Sequence, residues 1–233
     1  MDGSHAPGSP LIVAIDGPSG VGKSTAARRL ARLLGVPFLD TGAMYRAIGL
    51  KVLENGVDPN DREAVEAVAA TCQVSLGRLD DGSFEVLLDG EPVESRIRTP
   101  EVGEATSAIS AHPEVRRRMV ALQREAARHF GGVLEGRDIG TRVFPETPFK
   151  FYLDAQPDVR FRRRHDELVA AGRDVTLEQV MEEIRGRDRR DSSRADSPLV
   201  RDASHQLIDA SDLSVDEVVE RMAAAIQSTR APV

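Results

Sequence analysis

Apolar residues in this chain arrive in short runs closed by aspartate or glycine, and each run is followed by a longer stretch with helical spacing. Residues 11–16 (LIVAID) form an unbroken apolar run that ends at a glycine-rich turn, the pattern of a buried strand in a parallel sheet. Residues 24–34 (STAARRLARLL) then place Ala27, Leu30, Ala31 and Leu34 on one helical stripe, which Gly35 ends. The alternation repeats: a second strand closes over 37–40, a third is predicted over 132–138 (GVLEGRD), a fourth over 150–154 (KFYLD) and a fifth over 206–209 (QLID). Strands alternating with helices predict an α/β fold with a mostly parallel five-stranded sheet, helices on both faces, and ligands beyond the carboxyl ends of the strands.

One region breaks the alternation. Residues 74–79 and 84–88 read as strands joined through Asp80-Asp81-Gly82, and Asp89-Gly90 marks a further turn, so 57–100 is expected to form a small antiparallel insert. The main domain is then expected over 11–56 and 101–230. Residues 1–10 have neither a basic stretch nor an apolar stretch of signal-peptide type and are expected to be a disordered leader.

Composition narrows the function classes. No apolar run approaches the roughly 20 residues a membrane helix needs. Cys72 is the single cysteine, so no internal disulfide can form, which agrees with a reducing, cytoplasmic setting; its apolar surroundings predict a buried, inert thiol. The five histidines are scattered without metal-ligand spacing, which argues against zinc. A net charge of -7 argues against a nucleic-acid-binding surface while leaving room for a local basic pocket. Only three of the 31 basic residues are lysines (Lys23, Lys51 and Lys150).

One of those lysines sits where phosphate chemistry needs it. Residues 17–24 read GPSGVGKS, a full GxxxxGK[ST] match between a predicted strand and a predicted helix. Gly17, Pro18, Ser19, Gly20, Val21, Gly22, Lys23, Ser24 and Thr25 are therefore the expected ATP-binding segment of a P-loop NTPase fold. Backbone N–H groups turn inward around phosphate oxygens, Lys23 adds a cation for the β- and γ-phosphates, and Ser24 can offer its hydroxyl to Mg²⁺. A regulatory GTPase is a rival, but no lysine follows an asparagine and no aspartate has glycine three residues later, so both of its further signatures are missing. A scaffold protein would show no nucleotide dependence at all.

A phosphorylated acceptor calls for more cations. Arg46 follows the second strand, and Arg137 sits beside Asp138 at the end of the third. Arg187, Asp191 and Arg194 stand at i, i+4 and i+7 and share one helical face, where an arginine pair around a carboxylate can hold ribose and phosphate together. Ordinary salt bridges on a solvated helix would give the same spacing.

These segments together resemble the bacterial cytidylate kinases. The resemblance runs nearly end to end, through IDGPSGVGKST (15–25), LDTGAMYRA (39–47), IRTPEV (97–102), TSAISAHPEVR (106–116), EGRDIGTRVFP (135–145), FYLDA (151–155) and RGRDRRDSSR (185–194). It implies ATP-dependent phosphorylation of CMP, and of dCMP, by a monomer with an NMP-binding insert and a helical lid over 160–190. It also implies that Arg46 and Arg137 grip the acceptor phosphate with Thr41 nearby. Ser107, Arg116 and Asp138 would read cytosine, while Arg187, Asp191 and Arg194 surround the ribose. Lys23, Arg137, Arg187 and, from the lid cluster Arg160, Arg162, Arg163 and Arg164, Arg163 are expected to stabilise charge on the transferred group. A nucleic-acid contact is the rival reading of that cluster, and a kinase for UMP or dTMP is the nearest rival function.

Overall fold

The first apolar run does form a strand, β1 (Ile12–Asp16), and its alternation decides the layering. Val13 and Ile15 share one apolar cluster with Ala27 and Leu30 of α1 (Lys23–Leu34) and with Val218, Met222 and Ile226 of the last helix, α8 (Val215–Arg230). Ala14 points the other way, into a cluster with Leu134 of β6 (Gly132–Gly136) and Val120 and Ala127 of α5 (Pro113–Phe130). The central strand is thus covered on both faces, which is why it reads as a continuous apolar run. These coordinates come from a computed structural model that describes residues 10–79, 84–194 and 196–230.

Five parallel strands stand in the order β2-β6-β1-β7-β8, where β2 is Phe38–Asp40, β7 is Phe149–Asp154 and β8 is Gln206–Asp209. Asp16 pairs in register with Gly136 on one side and Tyr152 on the other. Chain order reverses across β1, since β6 lies on one side of it and β7 on the other, so a crevice opens beyond its carboxyl end. The P-loop leaves the strand at that crevice.

The region that broke the alternation forms a second sheet, with β3 (Val74–Arg78), β4 (Phe84–Leu88) and β5 (Glu91–Pro92) in antiparallel order. The Asp80-Asp81-Gly82 turn lies outside the described residues, as do residues 1–9 of the leader. Sequence alternation missed a helix here: α3 (Arg62–Thr71), capped by Asp61, buries Val65 and Ala69 at helical spacing. With α2 (Thr41–Glu54) and α4 (Pro100–Ile109) this sheet encloses a separate apolar cluster that includes Cys72, whose thiol burial pushes up and away from reactivity.

Two helices of the 160–190 region, α6 (Pro157–Ala170) and α7 (Leu177–Ser193), pack on each other through Phe161, Val180 and Ile184. The predicted third strand is shorter than expected. It stops at Gly136, and after Arg137 and Asp138 the chain enters a π-turn, Ile139–Val143.

Candidate active site

One cavity of about 470 Å³ opens beyond the carboxyl end of β1. Its walls come from the P-loop, the start of α2, the facing ends of α4 and α5, the residues after β6, and one face of α7. Eight of the lining side chains are lysine or arginine and six are aspartate or glutamate, so a chain with net charge -7 presents a cationic interior here.

At one end lies the glycine-rich loop read from the sequence as a phosphate cradle. Ser19, Gly20, Gly22, Lys23, Ser24 and Thr25 line the cavity, whereas Gly17, Pro18 and Val21 do not. Val21 is packed in the sheet core, and the Pro18 carbonyl accepts a 2.7 Å hydrogen bond from Lys23 Nζ. Lys23 is only 6% exposed. Burial, with Arg137 and Arg187 pressing on it, holds its ammonium well below the usual lysine range, while Glu135 and Asp16 pull the other way.

At the other end stand all nine residues expected around the acceptor. Asp40 ends β2 and caps α2 by accepting from the Ala43 N–H at 2.9 Å, which aims Thr41 and Arg46 into the crevice. Thr41 Oγ1 donates to the Glu135 carbonyl at 2.6 Å. Arg46 makes no hydrogen bond or ion pair with any described residue, and burial holds its pKa down against the pull of Asp40. Arg137 donates from Nε to Asp191 and from Nη2 to Ser19 Oγ, both at 2.9 Å, and so ties the P-loop to α7.

Asp191 is the hub of the cluster read from the sequence as one helical face, although α7 ends at Ser193 and Arg194 is its extended C-cap residue. Burial opposes its ionisation, yet Arg137, Arg194 and Arg187 together hold its carboxyl below the ordinary range. Arg194 pairs with it directly, while Arg187 Nε approaches only to 4.0 Å. Burial and the neighbouring Arg137 pull the Arg187 guanidinium down to about 9. These cations are crowded together without enough carboxylates, an arrangement that a polyanion would relieve.

Asp138 and Arg116 form a buried ion pair, 5% and 2% exposed, over which Ser110 and Ser107 stand. Burial pushes the Asp138 carboxyl up, and Arg116 offsets part of that. Among the described residues, the Nε groups of Arg116 and Arg194 are buried without a hydrogen-bond partner.

The lid arginines separate by position. Arg160 donates to the Ser19 carbonyl at 3.0 Å and to Asp188 at 2.5 Å, Arg164 lines the cavity, and Arg162 is exposed. Arg163 is not brought to the site. Its Nη2 is spent on the carbonyls of Ala210, Ser211 and Leu213, at 2.8, 3.5 and 3.3 Å, where it fastens α6 to the end of β8.

Several contributors were not read from the sequence. Glu135 is buried beside Lys23 and Ser24; burial and Asp40 push its carboxyl up, with Lys23 and Ser24 opposing. Arg98 lines the cavity and pairs with Asp40 at 2.7 Å. Asp188 accepts from the Ser19 N–H at 3.2 Å, and Arg190 donates to Ser107 Oγ at 2.8 Å. Their one visible signal was membership in the quoted segments. Which of many polar residues there face inward depends on the tertiary arrangement.

Among the described residues no group of three or more His, Cys, Asp or Glu is placed to hold a metal ion, and no helix is long and apolar enough to cross a membrane.

A family model described as cytidylate kinase matches residues 13–228. The chain belongs to the cytidylate kinase family. Curated relatives include a protein named cytidylate kinase from Pelotomaculum thermopropionicum, 46% identical over 94% of this chain and 96% of that one. Another of the same name, from Corynebacterium glutamicum, is 47% identical over 96% and 97%. A solved structure of an uncharacterised protein from Eubacterium ventriosum superposes with a TM-score of 0.53 at 14% identity, covering 94% of this chain and 98% of that one, which speaks to the fold alone.

Proposed function

We propose that this chain phosphorylates CMP, and dCMP with it, to the diphosphate at the expense of ATP. Membership in the cytidylate kinase family supports the reaction, and the observation that carries the assignment of residues is one cavity with the glycine-rich loop and Lys23 at one end and a cluster of arginines around Asp138 and Asp191 at the other. In this reading the P-loop amides and Lys23 hold the ATP phosphates, and Arg46 and Arg137 grip the acceptor phosphate beside Thr41. Ser107, Arg116 and Asp138 meet the base, and Arg187, Asp191 and Arg194 meet the ribose. Because phosphoryl transfer passes through a loose transition state with charge spread over the equatorial oxygens, positioned cations do most of the catalysis. Lys23, Arg137 and Arg187 fill that role, and Arg164 takes the lid position that sequence reasoning gave to Arg163.

The oxygen donors present fit Mg²⁺: the Ser24 hydroxyl and the neighbouring Glu135 carboxylate are hard ligands of the kind this ion takes, and it would supply charge neutralisation at the β- and γ-phosphates. Both subsites are built from one chain, which supports a monomer as the working unit. The same reading places the enzyme in the cytoplasm, among the nucleotides it uses, with no nucleic acid as a partner.

Incubation with ATP, Mg²⁺ and a panel of CMP, dCMP, UMP, dTMP and AMP tests the assignment; CDP and dCDP should form fastest. Dominant UMP or dTMP turnover would reject it. Base reading has its own test. Cytosine offers an amino donor where uracil offers a carbonyl, so the Asp138 carboxylate attracts one and repels the other. Asp138→Asn should therefore cut the preference for CMP over UMP by about 10- to 100-fold, the worth of a charge-assisted hydrogen bond. Since burial raises the Asp138 pKa, the wild-type preference should fade as pH falls, sooner than for an ordinary carboxylate, and Asp138→Asn should lose that acid-side dependence. An unchanged preference in the folded variant rejects the base-reading role.

A further inference from the structure

Behind the acceptor end of the cavity lies a buried polar cluster that phosphoryl transfer does not use. Asp16, the last residue of β1, is fully buried, and its two carboxylate oxygens accept from the backbone N–H groups of Ile139 at 2.8 Å and Gly140 at 2.7 Å. Those are the first two residues of the π-turn. The oxygen that takes the Gly140 N–H also faces Nε2 of His205 at 3.4 Å, and Nδ1 of the same ring lies 2.9 Å from Asp202. Fit here is tight, because a Cβ added at Gly140 would meet His205 Nε2 at 2.6 Å. Tyr152 of β7 stands edge-on to the imidazole with centroids 6.2 Å apart, and Lys150 of the same strand donates to Ser204, the residue before the histidine, at 3.1 Å.

Asp138 immediately precedes this turn, and its carbonyl accepts the N–H groups of Arg142 at 2.8 Å and Val143 at 3.2 Å. The main-chain position from which its side chain departs is therefore set by the turn. We propose that His205 is a positioning residue for base recognition: by holding Asp16 against the start of the π-turn it fixes where the Asp138 carboxylate stands. The proposal rests on the reading that Asp138 meets the base. Two carboxylates flank the ring, and hydrogen bonding to Asp16 and then Asp202 raises its pKa against the effect of burial, which favours the form that donates from both nitrogens. The segment that carries His205 also joins α7 to β8, so the base-reading turn is braced by the chain that leaves the lid.

Two substitutions of similar polarity separate this role from packing. Gln places its amide nitrogen near the position of Nε2 and keeps a donor toward Asp16, whereas Asn places it near Nδ1 and keeps the donor toward Asp202. His205→Gln should keep the KM for CMP within about twofold of the wild type, while His205→Asn should raise it about tenfold and erode the preference over UMP, as expected for sub-ångström misplacement of a binding group. The KM for ATP and the kcat should change little in either. Should His205→Asn fail to fold, Asp202→Asn, which alters the exposed side of the pair, takes its place and should raise the KM for CMP about threefold. Equal behaviour of the Gln and Asn variants, equal loss of ATP and CMP binding, or an unchanged KM in Asp202→Asn overturns the proposal. Asp138→Asn measured alongside separates the two claims. If it loses discrimination and the His205 variants do not, only the positioning role falls; if it keeps discrimination, base reading falls and the positioning role with it.

Discussion

Lys23→Ala should lose on the order of 10³-fold in the rate of phosphoryl transfer while melting at or slightly above the wild-type temperature. Both halves come from the same geometry. The ammonium is buried near Arg137 and Arg187, and burial with their like charge disfavours its charged form. A lysine with a depressed folded pKa costs stability at neutral pH, and removing it removes a repulsion as well as one hydrogen bond to the Pro18 carbonyl. In the proposed function that cation serves the ligand. Single-turnover measurement of CDP formation, set beside a thermal melt, checks both claims: a near-normal rate would remove Lys23 from the mechanism, and a collapsed melting point would make it structural. The same crowding predicts that nucleotide binding at alkaline pH takes up a proton, because phosphates restore the ordinary preference for the charged form.

Six residues earlier in the same loop the opposite result is expected. Gly17 has φ +149°, and a Cβ there would lie 2.1 Å from the Leu153 carbonyl oxygen, a backbone atom of β7 in the middle of the sheet. Neither partner can give way by a side-chain rotation. Gly17→Ala should cost about 3 kcal/mol or more, from overpacking on top of the disfavoured backbone conformation. For a chain of this size that lowers the melting temperature by roughly 6–12 °C. Activity should fall with the folded fraction and with displacement of the cradle. A melting point within a degree of the wild type would mean that the loop can shift, and that its shape is less constrained than the close approach to β7 implies.

Much of this was legible from local pattern. The apolar run 11–16, the stripe at Ala27, Leu30 and Ala31, and the glycine at 35 depend on neighbours a few residues away, and Gly35 ends α1 with φ +65° as expected. The i, i+4 pair Arg187 and Asp191 could be read because helical periodicity fixes it whatever lies opposite, whereas Arg194, expected on the same helical face, is the residue at which the chain leaves α7 and reaches Asp191 from the helix end. Where sequence reasoning fell short, a partner distant in the chain was the reason. The third strand stops two residues short of the predicted 132–138, a difference that arises because Arg137 and Asp138 carry no local signal that would stop a strand. Asp16, more than 120 residues upstream, captures the next two amides and turns the chain. Among four clustered lid arginines spacing alone could not choose, and carbonyls at the end of β8 claimed Arg163, leaving Arg164 at the cavity.

By itself the sequence determined the kind of chemistry: a loop of backbone amides with one lysine, set between a buried strand and a helix, follows from residue types and short spacings that any tertiary context must respect. Tertiary structure alone decided which charges face one another. Burial and long-range pairing crowd Lys23, Arg137 and Arg187 and bury Asp138 against Arg116, and they place His205 behind the turn that carries that carboxylate. Coulombic and desolvation effects depend on distance and dielectric in space, and neither is written in the order of residues along the chain.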